Sequence, residues 1–260
     1  MTHPYFQGTS VPRVLAHRGL LTPGGEDSSV FDNSALALAA ADAAGAQYIE
    51  ADCRATADGD AVLFHDETLQ RLLGDPRPVS EVRTDELRGL FAAHGGLLTL
   101  AEALASFPAL RFNIDVKARE AADDVGRAVA AHGARVLLTS FHENNRRAAL
   151  DAAVAAGASV LPASSGGQRS IALLLISSRL RLAGWSRRIL RGLDAVQIPE
   201  RFGIVRVFTP ALVRAAHASG VEVHVWTVND PERMRALVEA GADGIVTDRA
   251  DLAIRTLGRN

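Results

Sequence analysis

The run VLAHRGL at residues 14–20 ends an apolar stretch with a histidine and an arginine, His17 and Arg18, followed by Gly19. An imidazole can transfer a proton near neutral pH, and a guanidinium can bind two oxygens of a phosphate group through its planar fork. Glycine lets the backbone turn close beside a ligand. This order of residue types could move a proton beside a bound anion, although a histidine at a strand end is most often a structural residue.

Two further apolar runs carry polar residues near their ends. Because side chains two apart on a strand share a face, Glu50 and Asp52 in QYIEADC point the same way. Asn113, Asp115 and Lys117 do so in LRFNIDVK. If these faces meet, carboxylates, an amide and an ammonium group converge at one place.

Three carboxylates at one place require a counter-charge. Glu50, Asp52 and Asp115 would repel one another in a cleft of low dielectric, so we expect a single divalent cation among them. Oxygen ligands favour Mg²⁺ or Ca²⁺ over Zn²⁺. The positive charges of this cation, Arg18 and Lys117 together exceed the three carboxylate charges by one. A phosphodiester would neutralise that remaining positive charge.

A second histidine completes the candidate site. The turn at Asp58 and Gly59 precedes a short apolar run that ends at His65, which we expect to be the last position of an inserted strand. His17 and His65 on either side of a phosphodiester could act as general acid and general base.

The elements that position these residues form a regular alternation. Eight strand-type runs alternate with stretches of helical periodicity, several of which end at a glycine. The runs are VPRVLAH, QYIEADC, LRFNIDVK, RVLLTSF, GASVLPA, LDAVQIP, VEVHVW and DGIVTD. Eight such units in 260 residues predict an α/β fold, a (β/α)8 TIM barrel. The long second connection predicts a small insertion at roughly 54–109 within one domain, 1–260.

Composition limits the partners and the compartment. A net charge of −2 and a pI near 6.4 give no general attraction for nucleic acid, so an anion site must be local. The single cysteine, Cys53, cannot form an intramolecular disulfide and, facing away from Asp52, is expected to pack under a helix. The first residues lack the apolar core of a secretory signal, which predicts a cytoplasmic protein.

One segment, 164–192, has two interpretations. It joins a Gly/Ser stretch to apolar residues interspersed with arginines. We favour an outer barrel helix, predicted over 169–191, with a solvated arginine face. The alternative is a lid or an interfacial helix that contacts lipid-derived substrates, so membrane contact is the minor expectation.

Several of these motifs together resemble one family, the glycerophosphodiester phosphodiesterases. The resemblance spans nearly the whole chain and rests on AHRG (16–19), the stretch 32–71, FNIDVK (112–117), TSF (139–141) and the stretch 223–252. It implies a TIM barrel with an insertion after the second strand and a divalent metal. It also implies cleavage of glycerophosphodiesters to glycerol 3-phosphate and an alcohol.

The resemblance assigns a role to each candidate residue. His17 and His65 take the acid–base positions, and Arg18 takes the phosphate-binding position. The metal positions are Glu50, Asp52 and Asp115, with Lys117 following the last of them. Trp226 matches an aromatic position near the substrate, although a barrel-core tryptophan is an equal alternative.

Two departures from the family pattern keep the chemical type of the residue. Asp115 stands where a glutamate is usual and is one methylene shorter, so the cation must shift, accept a water or bind less tightly. In FDNS, Asp32 replaces a glutamate and Ser34 a threonine. Both changes bear on metal affinity more than on activity.

The sequence is compatible with three functions. The first is a metal-dependent phosphodiesterase acting on a small-molecule glycerophosphodiester. The second is a related barrel that acts on lysophospholipids, and the third is a barrel that binds phosphodiesters without turnover. Retention of both His17 and His65 argues against the third. The oligomeric state has no signature in the sequence.

Overall fold

The structure is a computed structural model, and it describes residues 2–21 and 29–258. The predicted domain also includes residues 1, 22–28 and 259–260, which lie outside the described residues. The strands are β1 (Arg13–His17), β2 (Tyr48–Ala55), β3 (Ala61–Leu63), β4 (Arg111–Val116), β5 (Val136–Thr139), β6 (Ala163–Ser164), β7 (Ala195–Pro199), β8 (Arg201–Phe202), β9 (Val205–Arg206), β10 (Glu222–Trp226) and β11 (Gly244–Thr247).

Eight of the described strands form the predicted parallel barrel. Their spatial order is β6-β5-β4-β2-β1-β11-β10-β7, so the first strand pairs with the last. A single parallel bridge between Ser165 and Ala195 joins the two ends of this path. The barrel is thus nearly closed, and because its strands are parallel their carboxyl ends lie at one face.

Helices occupy the connections between the strands. They are α1 (Ala35–Ala43), α2 (Gln70–Leu73), α3 (Thr84–Phe91), α4 (Leu100–Ser106), α5 (Ala122–Val129), α6 (Glu143–Ala155), α7 (Gln168–Arg179), α8 (Ala183–Ile189), α9 (Pro210–His217), α10 (Pro231–Glu239) and α11 (Ala250–Leu257). Within residues 2–21 and 29–258, none of these helices is both long and apolar enough to cross a membrane.

The insertion after β2 has its own small core. β3 pairs antiparallel with the end of β2, and α2 and α3 follow it. Apolar side chains such as Phe64, Leu87 and Phe91 pack together beneath this segment. β3 ends at Leu63, so His65 lies two residues beyond the strand whose last position it is predicted to be.

The barrel interior is filled from its amino end. A 3-10 turn at Pro4–Phe6 inserts Tyr5 and Phe6 against Leu15 and Tyr48, which point inward. Larger apolar clusters lie between the strands and the surrounding helices, and Cys53 is buried in one that includes Leu100 of α4, as predicted. Packing therefore fills the lower barrel and leaves the carboxyl face for the polar residues.

Two predicted elements differ from the structure. The predicted strand at 157–163 is reduced to Ala163–Ser164, because Pro162 has no N–H to donate and the residues before it form a connection. The predicted helix over 169–191 is two helices, α7 and α8. Arg181, with φ of 58°, adopts a left-handed conformation just after α7 and ends it.

Candidate active site

A cavity of about 510 Å³ opens at the carboxyl ends of the strands. It is lined by every residue predicted for the site: His17, Arg18, Glu50, Asp52, His65, Asp115, Lys117 and Trp226. Residues from four barrel strands and the insertion thus meet in one place, as predicted from the alternation of side chains along each strand.

Strand register explains why these side chains are neighbours. His17 is paired with Glu50 between β1 and β2, and Asp52 is paired with Asp115 between β2 and β4. Paired residues on neighbouring strands project to the same face. Since the three strands are consecutive in the barrel, the carboxylates and one imidazole form a continuous row.

The turn after β1 aims the arginine into the cavity. Arg18 has φ of 57° and donates its backbone N–H to the carbonyl of Glu50 at 2.7 Å. Gly19 also has positive φ, at 91°, and a Cβ there would lie 2.6 Å from the backbone of Ala37. The glycine is therefore needed for close packing on α1, in addition to the predicted turn.

Two cationic side chains hold the carboxylates. Lys117 Nζ lies 2.9 Å from Asp52 Oδ1 and 2.6 Å from Asp115 Oδ2. Arg18 Nε lies 3.0 Å from Asp52 Oδ2, and its Nη1 donates to Asp32 at 3.2 Å. Asp52 is thus bracketed by both cations, whereas Glu50 contacts neither.

The pKa values of the carboxyl groups follow from this unequal pairing. Burial and the charge of Asp52 raise the pKa of Glu50 to about 8. Burial acts on Asp52 too, but Lys117 and Arg18 outweigh it and lower the pKa of that carboxyl. Burial raises the pKa of Asp115 despite the nearby ammonium of Lys117. Glu50 is the group that most lacks a positive partner.

An aspartate that the sequence analysis missed orients His17. Asp248 Oδ1 lies 2.6 Å from His17 Nδ1, and Asn229 donates to the other oxygen of Asp248 at 2.7 Å. Burial lowers the pKa of His17, but the bond to Asp248 and the charge of Glu50 outweigh that effect and raise it. With Nδ1 engaged, Nε2 faces the cavity, 3.8 Å from Glu50 Oε2. The signal available was the position of Asp248 directly after the last strand, next to β1 in a closed barrel.

Asn33, also missed, holds Asp52 from the other side. Its amide nitrogen donates to Asp52 Oδ2 at 3.1 Å, and its oxygen accepts the backbone N–H of Asp52 at 3.3 Å. Asn33 has φ of 61°, a conformation that asparagine tolerates better than most residues. The next residue, Ser34, caps α1. The signal lay in the FDNS motif, where Asn33 had no assigned role.

Backbone contacts with β2 place His65. Phe64 donates its N–H to the Asp52 carbonyl at 2.9 Å, and Arg54 Nε donates to the His65 carbonyl at 2.8 Å. His65 Nδ1 lies 2.7 Å from Asp66, which also bonds Arg71. In both histidines of the cavity, Nδ1 therefore lies within hydrogen-bond distance of an aspartate oxygen.

One wall of the cavity is aromatic and apolar. Phe141 and Trp226 pack edge to face with ring centroids 5.9 Å apart, and Lys117 Nζ lies 5.5 Å from the Phe141 centroid. Trp226 both lines the cavity and packs on the interior cluster, so packing in the core does not keep it away from the cavity. The wall continues along α7 through Ile171 and Leu175.

The cavity offers oxygen atoms of the kind that a hard cation prefers. Glu50 Oε2, Asn113 Oδ1 and Asp115 Oδ1 are buried oxygens that lack a hydrogen-bond partner among the described residues. As the side chains lie, no three His, Cys, Asp or Glu residues in residues 2–21 and 29–258 form a group that could hold a metal ion. Lys117 occupies the space between Asp52 and Asp115, so a cation would share these carboxylates with the ammonium group.

Comparison with known proteins gives the family. Residues 17–252 match the pattern of the glycerophosphoryl diester phosphodiesterase family. The chain belongs to this family. A probable glycerophosphodiester phosphodiesterase 2 of Mycobacterium tuberculosis is 39% identical over 243 residues, which cover 92% of this chain and 88% of that protein. As a member of the glycerophosphoryl diester phosphodiesterase family, the chain is a phosphoric diester hydrolase.

Solved structures agree with the barrel. A glycerophosphodiester phosphodiesterase of Thermotoga maritima has a TM-score of 0.70 and 24% identity, and the match covers 96% of this chain and 99% of that one. An Oleispira antarctica phosphodiesterase, determined in complex with the product sn-glycerol-3-phosphate, has a TM-score of 0.71 and 20% identity, with coverage of 96% and 98%. At these identities the likeness establishes the TIM-barrel fold.

Proposed function

We propose that this enzyme hydrolyses glycerophosphodiesters to glycerol 3-phosphate and an alcohol with the help of a divalent cation. His17 and His65 are the acid–base pair, and Arg18 and Lys117 bind the phosphate. Trp226 borders the substrate. The observation that carries the proposal is the meeting of these groups with three carboxylates in one cavity at the strand ends.

His17 is assigned as the proton donor. The aspartate at its Nδ1 stabilises the protonated ring and leaves Nε2–H directed into the cavity. As the P–O bond to the alcohol breaks, that proton passes to the departing oxygen. His65 accepts the proton of the attacking hydroxyl, from water or from the glycerol part of the substrate, as the new P–O bond forms.

Arg18 and Lys117 orient the phosphate against the two imidazoles. Both cations already lie on Asp52, so binding of a phosphodiester requires them to divide their charge between the carboxylate and the substrate. The guanidinium can bind two phosphate oxygens at once, while the ammonium acts as a point charge. Arg18 therefore fixes orientation, and Lys117 adds attraction.

Glu50, Asp52 and Asp115 are the residues that would hold Mg²⁺ or Ca²⁺. When bound, such a cation would neutralise carboxylate repulsion and stabilise negative charge on the phosphate oxygens. The unpartnered buried oxygens of Glu50 and Asp115 and the high pKa of Glu50 support this assignment.

Product analysis tests the proposed function. The purified enzyme is assayed on glycerophosphocholine, glycerophosphoethanolamine and lysophosphatidylcholine, with Mg²⁺, with Ca²⁺ and with EDTA, and products are followed by ³¹P NMR. We expect glycerol 3-phosphate from the first two diesters and loss of turnover in EDTA. Turnover of lysophosphatidylcholine alone would favour the lysophospholipid alternative. Binding without turnover under all conditions would favour a non-catalytic barrel.

The cytoplasmic location stays a prediction. A cell-fractionation experiment with an antibody against the chain would test it, since the predicted result is recovery in the fraction that contains cytoplasmic markers.

A further inference from the structure

Exposed apolar side chains lie on α7 and the β8–β9 hairpin, which both line the cavity mouth, and on α8, which packs on α7. Ile204 is 96% exposed, Phe202 72% and Trp185 67%. They belong to a larger set on α7, α8 and the β8–β9 hairpin, which we call the rim patch: Ile176, Leu180, Trp185, Phe202, Ile204 and Val205. A concentration of large exposed apolar residues indicates an interaction surface.

The rim patch is continuous with the cavity mouth. Phe202 and Val205 are exposed and also line the cavity, as does the exposed Ala172 of α7. Arg179, at the end of α7, donates to the backbone carbonyl of Arg206 at 2.9 Å and so joins the helix to the hairpin. Whatever covers this patch lies at the entrance to the active site.

Positive charge is concentrated in the same segment. Residues 164–192 contain six arginines and no acidic residue, whereas the whole chain has a net charge of −2. The arginines are Arg169, Arg179, Arg181, Arg187, Arg188 and Arg191. Arg201 and Arg206 lie opposite each other at the base of the hairpin, with Ile204 at its tip. The tip is thus apolar and its base is cationic.

These arginines differ from most of those on the rest of the surface, because they are both unpaired and clustered. None of them forms an ion pair with a carboxylate in residues 2–21 and 29–258. Most exposed arginines elsewhere are matched within the chain, for example in the pairs Arg71–Asp66, Arg77–Glu86, Arg88–Glu102, Arg127–Asp124 and Arg255–Asp251, whereas Arg214 and Arg235 stand singly on α9 and α10. The unmatched charge beside the rim patch is therefore available to an external anionic partner.

We propose that the rim patch and its arginines dock the enzyme on a bilayer that contains anionic phospholipid. Apolar side chains at a tip with arginines behind them match the two layers of a membrane interface, acyl chains and then phosphates. A symmetric contact between two copies would bring the same arginines face to face, and a nucleic acid would leave the aliphatic residues unburied. Docking goes beyond the proposed function, because it concerns where the cavity opens and not which diester is cleaved.

Vesicle flotation tests the proposal. Wild-type enzyme is floated with vesicles of phosphatidylcholine alone and of phosphatidylcholine with phosphatidylglycerol, at low and high salt. We expect binding to the anionic vesicles that weakens as salt rises. The double variant Trp185→Ser/Ile204→Ser should bind the anionic vesicles about tenfold or more weakly than wild type. The double variant Arg187→Gln/Arg188→Gln should lose about fivefold in vesicle affinity for each charge removed.

Matched variants separate docking from general effects. Val154→Ser removes an exposed apolar residue from α6, and Arg83→Gln with Arg119→Gln removes two exposed charges elsewhere. These controls should bind as wild type. Hydrolysis of a water-soluble diester should be unchanged in the Trp185 and Ile204 variant, because neither residue lines the cavity.

Three results would overturn the docking proposal, none of which bears on the hydrolytic reaction. They are no binding to anionic vesicles at low salt, equal loss in the rim and control variants, and a concentration-dependent dimer in sedimentation that Ile204→Ser abolishes. The last result would make the rim patch an interface between copies.

Discussion

His17 Nδ1 and Asp248 Oδ1 lie 2.6 Å apart, although 231 residues separate them in the chain. The contact exists because the last strand of the barrel pairs with the first. It directs Nε2 of the imidazole into the cavity and favours the protonated ring. The pair therefore links closure of the fold to the proposed role of His17 as proton donor.

Asp248→Asn should lower both turnover and the pKa of His17. If His17 is the proton donor, as proposed, activity falls as pH rises through its pKa, so the alkaline limb of the pH profile should move to lower pH. We expect turnover to fall on the order of tenfold at its optimum. The measurements are the pH profile and an NMR titration of the His17 ring.

Asp243→Asn is the matched control for this variant. It breaks a similar pair with His217, 2.7 Å long, that lies outside the cavity lining. An identical pH profile in wild type and Asp248→Asn would refute the orienting role.

Cation binding should release a proton near neutral pH. Burial and Asp52 raise the pKa of Glu50 to about 8, so the carboxyl group is mostly protonated at pH 7 and must ionise to bind a metal. Apparent Mg²⁺ affinity should rise with pH up to about 8 and then level off. Calorimetry in buffers of different ionisation enthalpy measures the proton release.

Glu50→Gln should remove that pH dependence and weaken binding about tenfold or more, and Asp115→Asn should weaken binding as well. Asp85→Asn, on the exposed face of α3, is the control and should titrate as wild type. Unchanged metal titrations in both cavity variants would contradict the assignment of these ligands.

Arg18→Lys should impair phosphate binding although it keeps the charge. The ammonium cannot present two parallel donors to phosphate, so kcat/KM should fall about tenfold or more. Arg127→Lys, in an exposed pair on α5, should leave kcat/KM unchanged. Wild-type kcat/KM in Arg18→Lys would show that a single charge suffices there.

A buried ion pair below the cavity should govern acid stability. Arg13 binds Glu222 through two hydrogen bonds of 2.7 and 2.8 Å. Burial raises the pKa of Glu222, but Arg13 and His224 outweigh it and lower the pKa to about 2. Because the folded-state pKa is depressed, the stabilisation is present above the usual glutamate pKa and is lost as pH falls toward 2.

Glu222→Gln should therefore cost about 3 kcal/mol of unfolding free energy at pH 7, since it leaves Arg13 buried without its partner. The difference from wild type should narrow as pH falls from about 5 to about 2. Urea unfolding across that range measures it, with exposed Glu232→Gln as a neutral control. A difference that does not change with pH would argue against the ion pair as its source.

Two patterns in the sequence allow much of the fold and site to be predicted: strand runs alternate with helical runs, and side chains two apart on a strand share a face. Local spacing alone places Glu50, Asp52, Asp115 and Lys117 on common strand faces, and the structure brings all four to one cavity. Such patterns are local, because side-chain direction alternates residue by residue whatever the rest of the chain does.

Features that depend on distant pairing or unusual backbone were missed. Asp248 reaches His17 only through barrel closure, and Asn33 holds Asp52 from a left-handed conformation. Arg181 ends α7 in a position usually taken by glycine, so the sequence predicts one helix where there are two. None of these follows from periodicity.

The most direct test of the mechanism compares His17→Ala and His65→Ala on glycerophosphocholine and on an aryl phosphodiester. Each variant should lose on the order of 10² to 10⁴ in turnover of the natural diester while retaining its fold by circular dichroism. An aryl oxide leaves without a proton, so the ester should substantially rescue His17→Ala and should not rescue His65→Ala. Near wild-type turnover of glycerophosphocholine by both variants would contradict acid–base catalysis by this pair, and rescue of His65→Ala alone would reverse the two roles.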